Sequence, residues 1–135
     1  MSLLSPSVRL LGVVLVATAA VAACSSSNDS TGPTINLSGN YILVSFETPP
    51  NPVLTPPVAT GALVLTTTRY KATINILGQA PIIDSGTYTA TATELTQTSD
   101  VLPIQSTGTY TVNGNLLVTD LLSGGQRVLS TWQKQ

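Results

Sequence analysis

From Leu37 onward, apolar and polar residues alternate in short runs, and Gly, Pro or Asn interrupts them every eight to twelve positions. No window repeats its apolar residues at a spacing of three to four, so the pattern predicts strands and no helix. In "YKATINIL", Tyr70, Ala72, Ile74 and Ile76 share one face and Lys71, Thr73 and Asn75 the other. "TYTATAT" sets Thr87, Thr89 and Thr91 against Tyr88, Ala90 and Ala92, the signature of a half-buried antiparallel strand. "NYILVSFE" puts Ile42, Val44 and Phe46 together by the same count. Eight strands are expected near 39–47, 60–67, 69–77, 84–91, 94–100, 107–112, 115–121 and 126–133. Joined by short turns, they close into an all-β, antiparallel, eight-stranded up-and-down barrel, with a two-sheet β-sandwich as the alternative.

The sharpest turn signal is "YTVNGNLLV", where Asn113-Gly114 suits a type I′ hairpin and would pair Val112 with Asn115 and Tyr110 with Leu117. A short echo accompanies it. "GTYT" occurs at 86–89 and 108–111, with "SGNY" at 38–41 as a fainter third copy, which suggests a repeating hairpin plan.

The first 36 residues follow different rules. Arg9 is the one charge in "MSLLSPSVR", and Leu10 to Ala23 carry none, the order of regions in an export signal. As a helix that apolar run measures roughly 21 Å, short of the roughly 30 Å hydrocarbon layer, so cleavage is expected rather than a permanent span. Val21-Ala22-Ala23-Cys24 resembles a bacterial lipobox. That resemblance implies removal of residues 1–23 and acylation of Cys24, the chain's single cysteine. It also implies partnership with a membrane through those acyl chains and, with Ser25 following, delivery to the outer membrane. Two or three chains hold a protein on a bilayer where one is marginal. "SSSNDSTGPT" then reads as a flexible tether within residues 24–36, reaching about 18 Å as a random coil. Residues 37–135 suffice for one domain. The N-x-S match at Asn28 is discounted, because glycosylation needs a eukaryotic secretory route.

Charge and chemistry narrow the function. Beyond residue 23, six acidic residues face four basic ones, which offers nucleic acid no electrostatic attraction. Histidine is absent and the serines have no evident base, so familiar acyl-transfer constellations are missing and the chain is not expected to be an enzyme. Glu47, Asp84, Glu94, Asp100 and Asp120 fall mostly at strand ends, where turn-forming acids are common, and lack the alternate spacing of a calcium loop. No metal or other cofactor is implied, and a monomer is expected.

The domain as a whole is similar to small bacterial lipoproteins with a lipocalin-like domain, over roughly Ser38 to Lys134. The similarity rests on "SGNYILVSFE", a Pro-rich first loop, "TGALVLTTTRY", "SGTYTATATELTQTSD", "TGTYTVNGNLLVTD" and a last strand carrying an aromatic. Gly39-Asn40-Tyr41 stands where lipocalins have Gly-x-Trp, and Arg127 resembles the late arginine that crosses their first strand. A Thr-Asp-Tyr motif and a C-terminal helix are missing, which bears on the depth of a ligand cup more than on the barrel. The resemblance implies a carrier of a small apolar molecule. Phe46, Ile74, Tyr88, Ala90, Tyr110 and Trp132 are candidate ligand contacts, as inward residues of an eight-stranded barrel. "TPPNPVLTPPV", stiffened by five prolines, is the first loop, whose Val53 and Leu54 would plug the mouth or touch a ligand, unless it is only a rigid surface connection. Alanines 72, 90 and 92 on the inner face leave room for a cavity, whereas the low aromatic content favours a filled core. The rival to a carrier is a structural or protein-interaction module at the envelope surface.

Overall fold

The computed structural model describes residues 35–135; the signal, the lipobox and Cys24, and all but the end of the tether lie outside them. Eight strands follow in order: β1 (Gly39–Glu47), β2 (Ala59–Leu65), β3 (Arg69–Ile76), β4 (Ile82–Ala90), β5 (Glu94–Ser99), β6 (Gln105–Asn113), β7 (Leu116–Ser123) and β8 (Gln126–Lys134). Each pairs antiparallel with its neighbour in sequence, and β8 returns to β1, so the sheet closes into an up-and-down barrel and the sandwich alternative falls. Closure leaves no strand edge unpaired. At the level of fold, this supports the lipocalin-like resemblance.

Strand alternation survives in the packing. Tyr70 and Ile74 of β3 and Tyr88 and Ala90 of β4 are buried, while Lys71, Thr87 and Thr89 face water. The exception is β1. Tyr41 and Leu43 point inward there, and Ile42 and Val44 stand on the outer face. Leu43 pairs with Trp132 and Ser45 with Thr131, so Val44 is an extra, unpaired residue. That β-bulge turns the strand by one position and brings Phe46 back inside. A strict period of two from Phe46 therefore misassigns Ile42 and Val44.

The β6–β7 hairpin also differs from expectation. Asn113 pairs with Leu116, Val112 with Leu117 and Tyr110 with Thr119. Gly114 and Asn115 make the two-residue turn, and of the two only Gly114 has positive φ, at 61°. This is type II′, with glycine first, rather than type I′. The register moves by two positions, which preserves every side chain's face. A type I′ pattern does occur one hairpin later, at Gly124-Gly125, with φ of 55° and 84°.

The echoed motif has a physical cause. A Cβ on Gly86 would sit 1.9 Å from the Thr98 carbonyl oxygen, and one on Gly108 would sit 2.0 Å from that of Asp120. Only glycine allows neighbouring backbones so close. Two residues on, Tyr88 and Tyr110 enter one end of the barrel, joined by Tyr41 from the third copy. Tyr41 Oη donates to Leu37 O at 2.6 Å, Tyr88 Oη to Thr66 O at 2.6 Å, and Tyr110 Oη to Thr91 O. These bonds tie the segment before β1, the β2–β3 loop and the β4–β5 loop across that end, leaving there a smaller pocket of about 100 Å³ beside the β6–β7 turn.

Candidate functional site

The opposite end, where the β1–β2, β3–β4, β5–β6 and β7–β8 loops gather, holds a cavity of about 300 Å³. The lining is mainly apolar, with Phe46, Leu63 and Ile74 from β1 to β3, Leu95 from β5, and Leu117, Leu121 and Trp132 from β7 and β8. Polar side chains are set among them, namely Asp84, Gln97, Ser106, Thr119, Ser123 and Ser130. Ile82, 45% exposed, stands at the rim. The volume falls at the lower end of the range for small-molecule pockets, and the mixed lining suits a ligand with an apolar body.

The inward candidates divide between the two ends. Phe46, Ile74 and Trp132 line the cavity. Tyr88, Ala90 and Tyr110 do not. They are buried in the tyrosine end, where Ala90 O also accepts Ile35 N–H at 2.8 Å. All six face inward, but barrel height separates them, and a period of two carries no information about height. Of the alanines, Ala72 alone lines the cavity; Ala90 is buried in the core and Ala92 is exposed in the β4–β5 loop.

The Pro-rich loop is pinned over the mouth side. Leu54 exchanges backbone hydrogen bonds with Phe46 at 2.8 and 2.9 Å and packs against the core, while Val53 is 54% exposed. Gln126 Nε2 donates to Pro49 O at 2.9 Å, fastening the loop to the β7–β8 hairpin. Neither Val53 nor Leu54 lines the cavity, whose lining takes Thr48 from this loop.

Two hydrogen-bonded groups organise the polar side chains of the lining. Trp132 Nε1 donates to Ser130 Oγ at 2.7 Å, and Ser130 and Thr119 share a hydrogen bond of the same length. Asp84 is the centre of the second. Its Oδ2 accepts Tyr70 Oη at 2.7 Å, and its Oδ1 accepts Ser99 Oγ at 2.5 Å and Ser85 N–H at 2.9 Å. Burial, reinforced by the hydrogen bond to Asp84 and its charge, pushes the Tyr70 hydroxyl far above the usual tyrosine range, so it stays a donor. Among the described residues, no buried side-chain polar atom lacks a partner.

As a strand-end acid, Asp84 does not stand out in the sequence from Glu47, Glu94, Asp100 and Asp120. Counting back by twos from Ala90 through Tyr88 and Gly86 reaches it, and that signal places it inside. Arg127 also takes a different place. It forms a two-pronged pair with Asp120 on the outer surface, with Nε–Oδ1 2.9 Å and Nη2–Oδ2 2.6 Å. The base beside the first-strand aromatic is Lys134, with Nζ 5.8 Å from the Tyr41 ring centre and donating to Ser38 O at 2.7 Å. Among the described residues, no group of three His, Cys, Asp or Glu side chains is placed to hold a metal. Comparison with family models, with curated proteins and with solved structures finds no match to this chain.

Proposed function

We propose that this chain is a lipid-anchored protein of the bacterial outer membrane whose lipocalin-like barrel binds or carries a small molecule with an apolar body. The observation that carries the reading is the cavity of about 300 Å³, walled mainly by apolar side chains and open at one end of the barrel. Its position fits an anchored protein. Residue 35 joins the barrel at the tyrosine end, through its bond to Ala90 O, so a tether from Cys24 would reach the barrel at the end opposite the mouth. No catalytic role is assigned to the site.

Native mass spectrometry of the full chain purified from a bacterial envelope, followed by organic extraction, tests this function. A stoichiometric apolar adduct, beyond any acylation of Cys24, is the expected result. A mass with no such adduct would overturn the carrier reading in favour of a structural or interaction module. In parallel, the chain purified from the envelope should carry the mass of acyl chains, which Cys24→Ser should lose, and an unacylated Cys24 in the unaltered protein would overturn the lipid anchor.

A further inference from the structure

We propose that the cavity selects amphiphiles with a protonated amine head, seated on the Asp84 carboxylate with the apolar body against Leu117 and Trp132. This refinement rests on reading the cavity as a binding site. It starts from a count of charges: Asp84 is the one charged side chain in the lining, which contains no Lys or Arg. The described basic residues are engaged or turned elsewhere. Arg69 pairs with Asp100, Arg127 pairs with Asp120, Lys134 caps the tyrosine end, and Lys71 is exposed on the outer face of β3. Among the described residues, Asp84 therefore has no ion-pair partner.

The second argument is hydrogen-bonding capacity. A carboxylate offers about four lone-pair sites. Ser85 and Ser99 take two on Oδ1 and Tyr70 takes one on Oδ2, which leaves Oδ2 able to accept one more donor. An ammonium group supplies that donor and the missing counter-charge together. A fatty-acid head in the same place would bring a second negative charge into a half-buried site, where repulsion is stronger than in water. A neutral alcohol would gain the hydrogen bond without the charge. The predicted order of head groups is therefore amine, alcohol, acid.

Displacement of Nile red, a neutral apolar dye, from the full chain by octylammonium, octanol and octanoate provides the test. Octylammonium should compete at a concentration roughly tenfold or more below octanol, with octanoate weakest. In Asp84→Asn the three should draw level, whereas Asp120→Asn, on the outer surface, should leave the order intact. Equal competition, or octanoate ahead, in the unaltered protein overturns the head-group assignment and leaves the cavity reading standing, whether or not the variants fold. An amine preference that persists in Asp84→Asn overturns the role of that residue. If neither Nile red nor octanol binds the unaltered protein, the cavity reading falls and the head-group assignment falls with it.

Discussion

Ala72 and Asp84 face each other across β3 and β4, one giving the cavity width and the other its charge. Ala72 can grow into open space, whereas Ala90, 1% exposed, cannot. Ala72→Leu should therefore abolish dye binding while shifting the unfolding midpoint little. Ala90→Leu should cost about 1–3 kcal/mol by overpacking and leave dye binding in place. Urea unfolding monitored by Trp132 fluorescence, alongside Nile red titration, separates the two. Loss of dye binding in Ala90→Leu alone would relocate the cavity to the tyrosine end. Asp84 is hard to read from sequence, since strand-start acids so commonly serve turns that its face on the period-two count is the only distinguishing sign.

At the scale of elements, the strands were legible because polar and apolar residues alternate along them, from Tyr70 to Ile76 in β3 and from Thr87 to Ala90 in β4. Their irregularities were not. The Val44 bulge depends on how β1 must bend to meet both β2 and β8, a demand made by partners distant in sequence. In the β6–β7 hairpin, "NGN" allows either of two adjacent residue pairs to form the turn, and the flanking strands decide which. The observed type II′ turn makes a direct prediction. Asn113→Thr should change stability by less than about 0.5 kcal/mol, because Asn113 keeps negative φ. Gly114→Val should cost about 1–2 kcal/mol or more, because φ of 61° strains a branched residue. Thermal unfolding of both variants checks this, and an equal penalty at Asn113 would restore the type I′ register.

For the whole molecule, the barrel is built asymmetrically, with a tyrosine-packed end and an open one. Burial pushes the hydroxyls of Tyr41, Tyr88 and Tyr110 up from the ordinary tyrosine value, as it does for Tyr70. The folded protein thus keeps protons that the unfolded chain gives up near pH 10. This contribution is complete below that pH and shrinks as pH rises through the elevated values. Urea midpoints should accordingly hold steady from pH 8 to about 9.5 and fall beyond pH 10, with a shallower fall in Tyr88→Phe. A midpoint unchanged at pH 11 would mean that the tyrosines ionise freely in the folded state.

Strand number, strand order and the inward face of most strands follow from the sequence alone, because side-chain alternation and turn residues are local properties that each strand carries with it. Gly-x-Tyr, repeated three times, even names the residues that pack one end. Tertiary structure decided the rest: closure of β8 on β1, the height at which each inward residue lies, and the meeting of Tyr70, Asp84 and Ser99 at a cavity wall. The physical reason is that height in a barrel comes from strand tilt and stagger accumulated around the whole ring. A quantity summed over eight strands cannot be read from any one of them.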